Sequence, residues 1–346
     1  MRWMRFITVL LAFFVVMSMH AAGKKTERET QFKYAGAYVE EVTLKAECGV
    51  SGKGSCVRTG ILWRNPDPKT PATVIIAHGF ACNKNDIRFM RYIFEAYHVL
   101  VFDFRAHGDS TDRQCCTFGY DEANDVKAAV DFVRSDAQLK KLPLISYAFS
   151  MGAVASIEAQ ARFGKLFDCA IWDSPFDSTE ELLVRMMGNL KITMFGHVFA
   201  VPGRSFLMKY AYNPYVQSLL KMALKTVANI DASQVPTRIV PIDTVAAAQK
   251  IEIPAFFITC RNDAKAPPYA VRKIYDAAMG YKRFWITDGR HHFDSYFFNP
   301  EKYVYKVRHF VEKFLSGTYK KGEQQRIYQD MEEPKQSTGS RVAVAA

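Results

Sequence analysis

The chain has 346 residues, 49% of them hydrophobic and 23% charged, with 26 Phe and 17 Tyr. That composition excludes a disordered protein and is ample for a sizeable core. The formal net charge of +11 permits attraction to anionic lipid, polysaccharide or nucleic acid. The chain has no zinc-finger spacing and no compact arginine-rich run, which argues against a nucleic-acid module. No internal repeat shows, and one large α/β sheet can account for the whole length.

Residues 1–22 set the expected compartment. Arg2 and Arg5 precede an apolar run from Phe6 to Met17, followed by Ser18, His20, Ala21 and Ala22. A short positive region, a brief apolar region and small residues describe a cleavable secretory signal peptide, hence a secreted or periplasmic protein. The alternative is an uncleaved N-terminal membrane anchor, against which the run falls short of the roughly 20 residues that span a bilayer. Seven cysteines suit an oxidising compartment, and the odd number leaves at least one unpaired. Cys48 and Cys56 bracket a turn-rich loop and are expected to form a disulfide. A pairing of Cys82 with Cys115 or Cys116 is a second candidate, whereas Cys169 and Cys260 read as buried thiols at strand ends.

Tyr38 to Ala46 and Val57 to Trp63 read as an antiparallel pair around that loop. Short continuous apolar runs follow at Thr73–Ala77, His98–Phe102, Leu142–Ala148, Cys169–Trp172, Ala255–Thr259 and Phe284–Ile286. Strands look like this when helices cover both faces of a parallel sheet. Helical stretches alternate with them at Asp121–Phe132, Met151–Phe163, Ala270–Met279 and Tyr303–Phe314. The expected architecture is therefore a mostly parallel, doubly wound α/β sheet, built from residues 34–175 and 251–316. Residues 176–250 break the alternation and read as an inserted helical cap. Residues 317–346 read as a disordered tail.

Chemistry concentrates at Ser150. Ile145-Ser-Tyr-Ala-Phe-Ser-Met-Gly-Ala-Val-Ala155 runs from a strand into a small-residue helix. A sharp strand-to-helix turn needs small residues two before and two after the serine, and Ala148 and Gly152 supply them. The helix that follows aims its N-terminal amides at the serine, so the Met151 N–H is a candidate oxyanion donor. The second donor belongs in the loop His78-Gly79-Phe80 after the strand Thr73–Ala77, and Phe80 N–H is the candidate. His78 is read as bracing this loop and not as a base.

These segments, with Asp103-Phe-Arg-Ala-His-Gly-Asp-Ser110 and Thr117-Phe-Gly-Tyr-Asp121, resemble the α/β-hydrolase superfamily, in its serine-aminopeptidase-like and prolyl-oligopeptidase-like branch. The resemblance spans about residues 70 to 315, with Ala106 and Ala148 where the family usually has glycine. It implies an acid after the seventh strand, which selects Asp263 at the end of Ala255-Phe-Phe-Ile-Thr-Cys-Arg-Asn-Asp263. Asp173, at the end of the preceding strand, is the rival. The base comes from Gly289-Arg-His-His-Phe-Asp294, where either His291 or His292 can reach Ser150. The family's usual glycine three residues before the histidine selects His292. Arg105 and Asp109 are read as tying their loop together beneath the site. The two adjacent histidines project differently and lack a carboxylate at ligand spacing, so neither a metal nor a cofactor is expected.

The implied activity is a secreted serine hydrolase that cleaves a carboxylic ester through an acyl-enzyme on Ser150, with Asp263 and His292 completing the triad. Aminopeptidase-like peptide cleavage and thioester hydrolysis are the enzymatic alternatives, and a noncatalytic surface protein is the alternative outside catalysis. The expected partner is a small ester, acyl or peptide substrate. Nucleic acid is not expected, and the oligomeric state is left open. Between Arg185 and Lys225 the cap carries six basic residues, no acid and five methionines. That pattern suits a flexible acyl chain and peripheral contact with an anionic membrane, or simply a lid with a solvated basic face.

Overall fold

The structure is a computed structural model that describes residues 38–49, 55–109, 114–188, 191–194, 197–200, 210, 212–213, 216–218 and 235–319. Contacts divide the chain after Tyr38, and the fold described here is that of the unit Val39–Ala346. The leader read at residues 1–22 lies outside the described residues, as does the tail beyond Tyr319.

Eight strands form one sheet: β1 (Tyr38–Glu47), β2 (Ser55–Arg64), β3 (Thr73–Ala77), β4 (His98–Phe102), β5 (Leu144–Phe149), β6 (Cys169–Asp173), β9 (Ala255–Cys260) and β10 (Lys282–Thr287). Their order is β1-β2-β4-β3-β5-β6-β9-β10. β2 runs antiparallel to β4, while β4, β3, β5, β6, β9 and β10 run parallel. Every residue of β3, β4, β5, β6 and β9 is buried. Both faces of those strands are covered, which is why they read as unbroken apolar runs.

Helices supply the two outer layers. α2 (Glu122–Ser135), α3 (Met151–Phe163), α5 (Thr244–Ala248) and α6 (Pro268–Ala277) cover one face, where Val126, Val133, Ile157, Val271 and Ile274 meet the sheet. The other face is covered by α1 (Lys84–Ile87), the 3-10 turn Arg88–Phe94 and α8 (Pro300–Leu315), through Met90, Phe94, Tyr303, Val307 and Phe310. α8 starts where the sequence says a helix can start. Pro300 occupies its first turn, and the Asn299 side chain accepts from the Lys302 N–H. Cys48 and Cys56 form the expected disulfide, with 5.7 Å between their Cα atoms. Cys82, Cys115, Cys116, Cys169 and Cys260 are free thiols, so the second pairing considered for Cys82 does not form.

The cap differs from its reading as purely helical. α4 (Thr179–Gly188) is a helix, but an antiparallel ribbon follows, β7 (Lys191–Met194) on β8 (His197–Ala200), paired from Lys191↔Ala200 to Met194↔His197. Ile192, Thr193, Val198 and Phe199 are β-branched or aromatic, residue types that favour strands. Most of residues 201–234 lies outside the described residues. The chain rejoins the core where Thr237 bridges Cys116. After α8, the segment read as tail begins as ordered chain: Tyr319 stacks near Phe314 and Tyr281.

The register puts the functional loops on one edge. Ala77 pairs with Ala148, Phe149 with Asp173, Asp173 with Ile258, and Thr287 with Cys260. The carboxyl ends of five parallel strands therefore lie side by side, and the loops after them carry His78, Ser150, Ser174, Asp263 and His292. A crevice outside the carboxyl ends of such strands is where this topology builds its sites.

Candidate active site

Ser150 sits at the tip of the turn from β5 into α3 with φ 48° and ψ −117°. A non-glycine residue at positive φ stores strain, on the order of 1–3 kcal/mol, that the surroundings must hold. Two contacts hold it here. The Ser150 N–H donates to the Asp173 carbonyl at 2.8 Å, and the Ser150 carbonyl accepts from the Val154 N–H at 3.0 Å as α3 begins. Gly152 is required by close approach: a Cβ there would lie 2.4 Å from the His78 carbonyl oxygen and 2.7 Å from that of Ala77. The small residue two places after the serine thus lets α3 press against the end of β3.

His292 joins the serine to an acid. Its Nε2 lies 2.7 Å from Ser150 Oγ and its Nδ1 lies 2.7 Å from Asp263 Oδ2. The arrangement calls for the tautomer in which Nδ1–H donates to the carboxylate and Nε2 accepts from the hydroxyl. Asp263 Oδ1 accepts from the backbone N–H groups of Lys265 and Ala266 at 2.8 and 2.9 Å. Burial pushes the Asp263 carboxyl up, but the His292 contact and the two amides outweigh it and hold the group below the usual carboxylate range. Gly289 is needed three residues before His292, because a Cβ there would fall 2.7 Å from Cys260 Sγ. The side chain of His291 is exposed.

Asp173 is buried beside this line but is not in it. Its Oδ1 accepts from Ser174 Oγ at 2.9 Å and Ser295 Oγ at 3.3 Å, and its Oδ2 accepts from the Tyr303 hydroxyl at 2.9 Å. Burial dominates here and raises the carboxyl to about 6, despite these donors. Tyr303 in turn accepts from the Tyr147 hydroxyl at 3.1 Å. The sequence reading missed this network, because Tyr147 and Tyr303 look like ordinary core residues on a strand and a helix.

On the other side of Ser150, the loop Gly79-Phe80-Ala81 is held by two buried histidines. His78 Nδ1–H donates to the Gly79 carbonyl at 2.7 Å, and His78 Nε2 accepts from the Phe104 N–H at 3.1 Å. Burial, together with His107, drives the His78 imidazole down to about 3, so it is neutral. His107 accepts from the Ala81 N–H at 3.1 Å through Nε2, while its Nδ1–H donates to the Arg105 carbonyl at 2.7 Å. Neither imidazole bonds to Ser150. The Phe80 and Met151 N–H groups have no backbone acceptor among the described residues. Two free donors flanking a strained serine can stabilise negative charge on an oxygen.

Further back, Arg105 and Asp109, read as tying their loop together, belong to two separate ion clusters. Arg105 pairs with Asp125 at 2.8 Å, and Asp125 also receives Arg58 at 2.8 Å. Asp109 instead meets Lys84, which also pairs with the buried Asp103 at 2.6 Å. Arg58 and Lys84 carried no sequence signal, since each is one basic residue in an otherwise ordinary segment.

A cavity of about 170 Å³ opens from Ser150 and His292 between core and cap. Phe118, Phe176, Leu182, Leu183, Met186 and Phe293 line it, so its wall is almost entirely carbon. Met186 is the one of the cap's five methionines placed there among the described residues.

A sequence profile of the Alpha/beta hydrolase family matches residues 74–306. The uncharacterized protein YqkD of Bacillus subtilis is 25% identical over 252 residues, covering 72% of this chain and 74% of YqkD. Among solved structures, the esterase Pf2001 of Pyrococcus furiosus superposes with a TM-score of 0.58 at 23% identity, covering 80% of this chain and 93% of its own. The peroxisomal alpha-beta-hydrolase Lpx1 of Saccharomyces cerevisiae does so with 0.55 at 12% identity, covering 86% and 96%. At these identities the superpositions speak to the fold, while the profile covers about two thirds of the sequence. The chain belongs to the alpha/beta hydrolase family.

Proposed function

We propose that this hydrolase is a serine esterase whose nucleophile is Ser150. The observation that carries the reading is the unbroken line Ser150–His292–Asp263, with both contacts at 2.7 Å, at the floor of an apolar cavity. In the proposed cycle Ser150 Oγ attacks the ester carbonyl and its proton passes to His292 Nε2. Asp263 holds the imidazole in the right tautomer and stabilises its cation. The carbonyl oxygen, now negative, lies between the Phe80 and Met151 N–H groups. His292 returns the proton to the departing alcohol, leaving an acyl-enzyme. A water that gives its proton to His292 then attacks, and the acid is released with Ser150 restored.

The cavity favours an ester over a peptide with a free N-terminus. Among the described residues no Asp or Glu lines it, so an ammonium group would find no anion among them. An apolar wall instead suits an acyl chain of several carbons, and medium-chain esters should outperform acetyl esters. The esterase among the structural neighbours supports this class of reaction. The disulfide and the leader read at residues 1–22 support secretion as the setting. Labelling with a fluorophosphonate probe tests the nucleophile: the wild type should react and Ser150→Ala should not. Equal labelling of both proteins would sink the assignment.

A further inference from the structure

The cavity wall holds two basic side chains, among the described residues. One is His292, already committed to Ser150 and Asp263. The other is Lys265. Its backbone is fixed on both sides: its N–H donates to Asp263 Oδ1 at 2.8 Å, and its carbonyl accepts from Arg185 Nε at 3.0 Å. The side chain itself is free to reach. It is exposed, and no described acid lies within ion-pair distance of it.

The neighbouring charges are accounted for. Asp263 is taken by His292 and two amides, and Asp177 by Arg185 at 2.6 Å and Lys273 at 3.2 Å. Cys82 lines the same cavity and feels the Lys265 ammonium, although burial and Asp86 keep its thiol above the ordinary range. Lys265 thus lines the cavity within electrostatic reach of Cys82. An unpaired cation beside a carbon-lined cleft has less water to screen it than one on an open face, so an anion placed there gains more.

We infer that Lys265 is a specificity residue that selects esters bearing an anionic group, with the apolar part of the substrate held by the cavity wall. This rests on the serine-esterase reading and deepens it. The shared chemistry is a carboxylate, phosphate or sulfate within reach of Lys265. That group has two sources: the far end of the acyl chain, or the alcohol that leaves.

Matched esters separate the sources. For the acyl side, the 4-nitrophenyl ester of hexanoic acid is compared with the mono-4-nitrophenyl ester of adipic acid. For the leaving side, the hexanoyl ester of methyl 4-hydroxybenzoate is compared with that of 4-hydroxybenzoate. kcat/KM is measured for the wild type, Lys265→Met and Lys265→Arg, at low and high NaCl. On the arm that Lys265 reads, the charged-to-neutral ratio should fall about five- to tenfold in Lys265→Met and be retained in Lys265→Arg. The wild-type ratio on that arm should also fall with salt.

Ratios unchanged by Lys265→Met on both arms overturn the inference and leave the esterase reading standing. An equal loss on charged and neutral esters assigns Lys265 a structural role and overturns it too. If the wild type turns over none of the four esters, the esterase reading fails and takes the inference with it.

Discussion

The carboxyl ends of β6 and β9 are neighbours in the sheet, and each leads to a buried aspartate, Asp173 and Asp263. Both are shielded from water and both lie near His292, yet their carboxyls shift in opposite directions. Asp263 faces an imidazole and two backbone N–H groups, donors that cannot turn away, and its carboxyl is held low. Asp173 faces three hydroxyls, which rotate and can accept as readily as donate, and burial lifts it to about 6. Proximity to the histidine therefore does not decide how a buried acid titrates. The fixed direction of its donors does.

The sharpest way to break this comparison is to neutralise each acid in turn. Asp263→Asn should cost about 10³- to 10⁴-fold in kcat, because the amide no longer enforces the imidazole tautomer. Asp173→Asn should cost less than about tenfold. A reversed ranking, read in steady-state ester hydrolysis, exchanges their roles. The same logic applies to the two histidines: His292→Ala should abolish turnover, whereas His291→Ala, with its side chain exposed, should lower it modestly.

A smaller effect appears in stability. The Asp173 carboxyl titrates near 6 in the folded chain and about 3.9 when unfolded. Between those values the native state binds more protons, so this group's contribution is greatest in acid and is lost as pH rises from about 4 to about 6. The loss is on the order of 3 kcal/mol by pH 7 for a fully buried group. Asp263, whose folded value is depressed, works the other way: its contribution is present above about pH 4 and is lost as pH falls through its folded value. The windows do not overlap. The stability difference between wild type and Asp173→Asn, from urea unfolding at pH 4.5 and pH 7, should therefore change by about 2 kcal/mol in favour of the variant. Parallel curves would remove the account of Asp173.

The smallest effect concerns the hydroxyl between them and the core. Tyr303→Phe should destabilise by about 1–2 kcal/mol, since it removes a donor from Asp173 and an acceptor from Tyr147. It should also move upward the pH at which the Asp173 contribution is lost. Ser295→Ala, whose contact with Asp173 is 3.3 Å, should move it less. Equal shifts from both variants would show that neither hydroxyl sets the state of Asp173.

What the sequence by itself determined is whatever rests on near neighbours. The β3 and β4 runs, the start and end of α3 and the Cys48–Cys56 link are all set by residues adjacent along the chain. Burial on both faces writes itself into composition, and the demand for small residues around Ser150 acts within two positions. Even there the resemblance to a family was needed to prefer Asp263 and His292 over Asp173 and His291. The tertiary structure alone decided which groups meet across long separations. Arg58 reaches Asp125 over 67 residues and Tyr303 reaches Asp173 over 130. It also decided that Lys84 receives Asp109, and that residues 191–194 pair with 197–200 as a ribbon. Hydrogen bonds and ion pairs at such distances leave no periodicity in the chain. They depend on strand order and register, which bring loops from five strands to one edge and only then show which carboxylate the histidine touches.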